Sequence, residues 1–487
     1  MNPAHDPTLV REAALVAGVC ARPIVSRVTD LVTGEPRLVP IACGATREDR
    51  CPPCAERAKK LRMQQCREGW HLEIEPAHHT DDTDAEEQGD DDMGTSDRRV
   101  RSTRRRQDAP ELPRMRTEDR TIGRVFNAPD GRSYRPSMFV TLTLPSYGPV
   151  NTDGTPVDPD RYDYRCAALD ALHFPKLVDR FWQNLRRCAG YQVQYFATIE
   201  AQRRLAPHLH AAIRGAIPRR VVRQVRAATY HQVWWPPHDE AVYVDRLPVW
   251  ADGAGYVDPD TGEPLPTWEE ALDAIDHEPA HVVRFGDQDD MQGLLAGTPG
   301  AERAIGYLCK YLTKAIASTH DEGEPSPARR AHVERLAEEV RWLPCSPTCT
   351  NWLRYGVQPA GAVPGVVPGR CPGKGHERAN LGLGGRRVLV SRKWSGKTVA
   401  DHKADRSAVV RAVLEEAGID PDDHGELSIA GRDGRFAWEV IGRSRVDPAT
   451  YAAAIAEAIA VRRRWRWEYE TAKAARAGPA IPGTATA

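Results

Sequence analysis

The stretch Pro207-His208-Leu209-His210-Ala211-Ala212-Ile213 decides how this chain is read. Side chains two apart on a strand share a face. Leu209, Ala211 and Ile213 therefore make one apolar face for packing on helices, while His208 and His210 stand together on the other. Two imidazoles so placed can reach one metal ion. A lone His-x-His is often just two surface histidines of a hairpin, so the flanking sequence has to carry the rest.

Working outward, residues 194–200 read as a second strand, joined to the first by a short loop that holds Pro207. If the two pair antiparallel, Glu200 ends beside His208 and becomes the candidate third ligand, with Gln202 as a nearby rival. Two imidazoles and a carboxylate suit a divalent ion such as Mn²⁺ or Mg²⁺, with positions left open for phosphate oxygens. Upstream, residues 138–144 alternate: Phe139, Thr141 and Thr143 point one way, and Val140, Leu142 and Leu144 the other. Pro175 is expected to open a helix whose stripe is Leu177, Val178, Phe181, Trp182 and Leu185, closed by Gly190. This strand–helix–strand–strand order predicts an antiparallel sheet with helices on one side, an α+β domain.

A third stretch, Tyr307-Leu308-Cys309-Lys310-Tyr311-Leu312-Thr313-Lys314, places tyrosine, lysine, tyrosine and lysine at i, i+3, i+4 and i+7. That spacing predicts one helical face. Ile305, Leu308, Leu312 and Ile316 supply a separate buried stripe, so the tyrosines are not needed to bury the helix. A tyrosine hydroxyl, with a pKa near ~10, is a poor nucleophile at neutral pH without a cation beside it. Lys310 and Lys314, each within a turn of a tyrosine, would stabilise phenolate or a phosphate in the transition state.

These motifs, with Met138-Phe139-Val140-Thr141-Leu142-Thr143-Leu144-Pro145-Ser146-Tyr147 as the first of three, resemble those of HUH endonucleases. More closely, the chain resembles the rolling-circle replication initiators of actinobacterial plasmids and integrative elements (RepSA-like), over residues 20–406. All three motifs in this order are far more specific than any one. The resemblance implies an HUH endonuclease domain and a metal-dependent DNA nickase. Its tyrosine would attack a phosphate to give a 5′-phosphotyrosine link and a free 3′-hydroxyl. Paired tyrosines also resemble the gene A proteins of small single-stranded DNA phages, in which both are nucleophiles. In other initiators the second position is the nucleophile, which implies Tyr311 for the first cut and Tyr307 for the second transfer, or for positioning. The implied partners are origin DNA, a host helicase and a polymerase. Relaxases and single-strand transposases share the chemistry, but here the tyrosines follow the His motif, which favours an initiator. A zinc-bearing DNA-binding repressor without activity is the reading from a different class.

At 487 residues the chain is too long for one core, so roughly two to four domains are expected. The net charge of −1 conceals strong segregation: residues 81–92 are acidic, and Arg98, Arg99, Arg101, Arg104, Arg105 and Arg106 follow. Such a stretch buries too little apolar surface to order itself. The expected organisation is a cysteine-rich module at 1–80, a disordered charged linker at 81–120 and the endonuclease domain at 121–320. A zinc-binding and basic DNA-contacting segment at 321–410 and a helical tail at 411–487 complete it. With no signal-peptide pattern and no membrane-length apolar run, the expected compartment is the cytoplasm.

Eleven cysteines then suggest metal binding before disulfides. Cys43, Cys51 and Cys54 form one candidate structural zinc set, with Cys20 or Cys66 as fourth ligand. Cys345, Cys349, Cys371 and His376 form a second and more complete one. Cys166, Cys188 and Cys309 read as free thiols. Ser395-Gly396-Lys397-Thr398 imitates the end of a phosphate-binding loop, but the glycine required five places earlier is Ser391. This stretch reads instead as a basic DNA-contacting segment. Arg462-Arg463-Arg464-Trp465-Arg466-Trp467 reads equally as a phosphate- and base-contacting run or as a solvated helix.

Overall fold

A computed structural model describes residues 7–70, 72, 74–76, 106–127, 129–131, 133–275, 278–295, 297–321, 323–416, 436–441 and 445–477. The chain divides into two units. One holds residues 67–311 and 315–396; the other holds residues 1–66, 312–314 and 397–487.

The larger unit is built on a five-stranded antiparallel sheet. Its elements in chain order are β1 (Pro136–Thr143), α1 (Tyr164–Ala189), β2 (Tyr195–Ala201), β3 (Pro207–Ile213), β4 (Asp289–Leu295), α2 (Pro299–Cys309), α3 (Pro327–Trp342) and β5 (Val388–Val390). The strands lie in the order β4-β1-β3-β2-β5, which puts the histidine strand at the centre. Val140, Leu142, Leu209, Ala211 and Ile213 are fully buried in one core with the stripe of α1. The architecture is α+β, with antiparallel sheets.

Helix α1 begins well before Pro175. Asp163 caps it by accepting from the Cys166 N–H at 2.8 Å, and Gly190 closes it in the left-handed region at φ 75°. Pro175 thus lies inside a 26-residue helix. A proline there costs about 3 kcal/mol locally, which the packing of Phe174, Leu177, Phe181, Trp182 and Leu185 offsets. Trp182 also stacks on Tyr195 of β2, with ring centroids 3.6 Å apart.

Two other local expectations change. Residues 81–105 of the expected linker lie outside the described residues, but 106–120 are placed against neighbouring elements. Met115 donates its N–H to the Arg187 carbonyl at 3.0 Å, and Glu118 to that of Gly190 at 3.0 Å. In the expected DNA-contacting segment, Trp394 is fully buried. The Arg214 guanidinium lies 5.3 Å from its ring, and a Cβ on Gly69 would fall 2.2 Å from that ring. Tryptophan 394 is core.

In the second unit, Ile24–Asp30 is the central strand between Pro36–Ile41 and Phe436–Ile441, all antiparallel. Val10 and Ala14 of the first helix pack on Ala452, Ile455 and Ile459 of the helix Pro448–Ala477. The expected tail therefore contributes a strand and a helix to a fold shared with the N-terminal residues. Thr398 and Asp401 exchange hydrogen bonds at 2.6 and 3.2 Å, so the false phosphate loop ends as a helix cap. Among the described residues no helix is long and apolar enough to cross a membrane.

Leu209 lies between the two histidines on the opposite face and is fully buried. Leu209→Ala is expected to lower unfolding free energy by about 2–5 kcal/mol, read as a lower denaturant midpoint in equilibrium unfolding.

Candidate metal and tyrosine site

The sheet register assembles the site. His208 lies opposite Thr143 of β1 and Glu200 of β2, and His210 opposite Thr141 and Thr198. Because directly opposed residues share a face, these six side chains project together. Glu200, His208 and His210 are all buried, and one ligand atom from each lies within 4.8 Å of the others. The Thr141 hydroxyl sits 2.9 Å from His210 Nδ1, which turns Nε2 toward His208. The two Nε2 atoms are 2.6 Å apart, and His208 Nδ1 is buried without a hydrogen-bond partner.

Electrostatics tell whether a cation fits. Burial holds the His208 imidazole well below its ordinary range and lowers His210 to about 4, so both are neutral near pH 7. Neutral imidazole is the ligating form. Burial pushes the Glu200 carboxyl up to about 8, against the opposing pull of Arg387, Thr198 and Lys310. The cluster is short of positive charge, and a divalent ion among these three donors would supply it. The residues fit such an ion.

Helix α2 brings the tyrosine. Thr298 caps it, Pro299 starts it, and Ala301, Ile305 and Leu308 are buried. Tyr307 projects from another face. Its ring meets His210 edge-on at 4.9 Å and Phe139 at 6.0 Å, yet it is 45% exposed. Its phenol is raised by burial and then by Glu200 and Tyr311, with Lys310 opposing.

The helix does not continue through Lys314. It ends at Cys309; the Lys310 N–H bonds back to the Tyr307 carbonyl at 3.1 Å, and a turn follows. The single face expected for Tyr307, Lys310, Tyr311 and Lys314 is therefore broken. Lys310 Nζ sits 4.7 Å from the Tyr311 ring centroid, and Tyr311 lies 5.3 Å from the His320 ring. Lys314 belongs to residues 312–314, which group with the other unit. There Thr313 donates to Glu48 at 3.0 Å.

Sequence reading missed what holds this turn. Arg387 donates to the Tyr311 carbonyl at 3.0 Å and the Ile199 carbonyl at 3.3 Å, and its own carbonyl accepts from the Ile199 N–H at 2.8 Å. One side chain thus fastens the tyrosine turn to the strand that carries Glu200. His320 also comes close, with Nε2 2.7 Å from the Ala201 carbonyl oxygen. The only sequence signal for Arg387 was membership of a basic run.

Both cysteine sets converge. Cys20, Cys43, Cys51 and Cys54 place their sulfurs within 4.8 Å of one another, with Cys43–Cys54 at 3.7 Å and Cys20–Cys51 at 3.8 Å. Zinc–sulfur bonds of about 2.3 Å make a tetrahedral edge of roughly 3.8 Å, so the spacing suits four thiolates on one ion. Cys66 is buried and lies outside the set. Cys345, Cys349, Cys371 and His376 gather likewise. His376 Nδ1 lies 2.8 Å from the Val340 carbonyl, orienting Nε2 to within 3.5 Å of Cys349 Sγ. Cys166, Asp170 and His281 also cluster, but Asp170 already accepts from the Tyr147 hydroxyl at 2.7 Å and pairs with His281 at 2.8 Å. That group is a satisfied buried network.

Comparison with known proteins gives the family of the chain. The model of the RepSA family, described as "Replication initiator protein, pSAM2", matches residues 7–461, and the chain belongs to that family. A "Replication initiator protein" of Streptomyces ambofaciens is 28% identical over 263 residues, covering 45% of this chain and 52% of the relative. The chain thus spans about half the length of that relative. No solved structure matches the chain.

Elemental analysis of the full chain after mild chelation is expected to find about two zinc ions, one per four-ligand set. Cys371→Ser should remove one and leave the other. Two zincs retained in that variant would show that the second set holds none.

Proposed function

We propose that this member of the RepSA family is a replication initiator that nicks single-stranded origin DNA with a tyrosine and starts rolling-circle replication. The observation that carries the reading is the contact of Tyr307 with His210, which gathers with Glu200 and His208 as a candidate cation site. On this reading the five-stranded sheet is an HUH endonuclease domain, and the cysteine sets hold structural zinc.

The chemistry is a transesterification. The Tyr307 hydroxyl releases its proton to water and its oxygen forms a bond to phosphorus, while the bond from phosphorus to the 3′ oxygen breaks and that oxygen takes a proton from water to leave as a hydroxyl. A divalent ion held by His208, His210 and Glu200 would supply charge neutralisation at the scissile phosphate. Burial and Glu200 raise the Tyr307 phenol and Lys310 opposes them, so Lys310 is the cation placed to offset part of the cost of phenolate. Arg387 fixes the turn that carries Tyr311, which performs the second transfer and releases the first strand. Sequence comparison favoured Tyr311 for the first cut; the contact of Tyr307 with His210 favours the opposite order. Lys314 lies three residues beyond Tyr311 and remains a candidate for the second step. The liberated 3′-hydroxyl is a primer for a host polymerase. On this reading a host helicase opens the strands.

Incubation with labelled single-stranded origin DNA and Mn²⁺ is expected to give a covalent adduct. His208→Ala and His210→Ala should each reduce it at least about 100-fold, the scale for removing a transition-state contact, with origin binding largely kept. Tyr307→Phe should abolish the first adduct, and Tyr311→Phe should leave it intact but block strand transfer. Peptide mapping that finds only Tyr311 linked would reverse the order. No adduct from the wild-type chain with either Mn²⁺ or Mg²⁺ would sink the nickase reading.

A further inference from the structure

The helix Pro448–Ala477 uses its faces differently. Ala452, Ile455 and Ile459 bury against the N-terminal helix, while Ala454, Ala458, Arg462 and Trp465 line an open groove of about 570 Å³. Arg37 and Val39, on the strand Pro36–Ile41, form the facing wall. Arg57 enters at the rim, held by donating to the Pro53 carbonyl at 3.3 Å and to Cys54 Sγ at 3.5 Å. One of the four cysteines of the first set thus fixes an arginine in this groove.

Charge and shape select the occupant. Three arginines and one carboxylate, Glu457, line the groove, so it is locally cationic in a chain of net charge −1. The helical stripe from Thr450 to Trp465 covers 15 residue steps, or about 22 Å. Spread over that length, the volume makes a narrow open groove, along which phosphates can meet the arginines and a base can reach Trp465 while the rest of the strand stays outside. A duplex, whose major groove alone is about 12 Å wide, does not enter. Arginine forks match phosphates, and an indole beside an alanine floor offers a stacking surface to unpaired bases.

We propose that this groove is a second single-stranded DNA site, separate from the tyrosine site. Arg37, Arg57 and Arg462 hold phosphates and Trp465 stacks on a base. The proposal extends the initiator reading by naming where uncut strand is held, but binding here involves no bond-making.

The test uses the full chain carrying Tyr307→Phe and Tyr311→Phe, in chelator-free buffer without added divalent ion. Fluorescence anisotropy then follows a labelled oligothymidylate across a salt series. Adding Arg37→Glu and Arg462→Glu is expected to weaken binding at least about tenfold and to reduce the salt slope by about 1.4, two contacts at ~0.7 each. Arg37→Lys with Arg462→Lys should restore most of the affinity. Circular dichroism and zinc content, unchanged in both pairs, separate the effect from misfolding. Unchanged affinity and slope in the Glu pair would overturn the site. So would a loss confined to duplex DNA, or to polyglutamate as a mimic of an acidic protein partner. Because nothing is cleaved, a failed nickase assay leaves this result standing, and the reverse is equally true.

Discussion

The candidate site depends on the register in which β3 is clamped between β1 and β2. Glu200 faces His208, and Thr141 faces His210. A slip of one residue would turn both histidines into the apolar core and bring Leu209 onto the working face. The fully buried Leu209, Ala211 and Ile213 therefore specify where the two imidazoles stand as firmly as the histidines do. Packing on one side of the strand determines the chemistry on the other.

That arrangement makes the site electrostatically demanding. A central strand puts the ligands deep, where neutral imidazoles are favoured but the Glu200 carboxylate is disfavoured. Neighbouring cations from distant parts of the chain moderate this: Lys310 from the end of α2 and Arg387 from the approach to β5. Arg387 also holds the Tyr311 turn by its carbonyl. The same guanidinium thus links the tuning of the carboxylate to the placement of the Tyr311 turn.

The cysteine sets answer a different constraint. Residues 345–376 are rich in proline and glycine and contribute short 3₁₀ turns such as Thr350–Tyr355 in place of long helices or strands. Cys345, Cys349, Cys371 and His376 converge in this segment, beside the buried side chains of Trp352, Leu353 and Val357. In the smaller unit Cys20, Cys43 and Cys51 lie in loops and Cys54 in a helix, and the set sits beside the cationic groove.

Much was legible in the sequence because it is written in local periodicity and in residue chemistry. Alternation gave the strands around Val140 and Leu209, and two-residue spacing put His208 and His210 on one face. Ligand type and spacing drew both cysteine sets. What the sequence could not state was long-range. Pro175 suggested a helix start because its local cost is visible, whereas the packing that overrides it is not. The repeat through Tyr307 and Lys314 suggested a continuous helix, but Arg387, 76 positions beyond Tyr311, holds that carbonyl in a turn. The strand Phe436–Ile441 pairs with Ile24–Asp30 across some 400 residues. Periodicity reports how a segment can bury itself. Only the tertiary structure decides which distant partner satisfies its backbone groups and charges, because that choice is made by three-dimensional packing and hydrogen bonding, which no local pattern encodes.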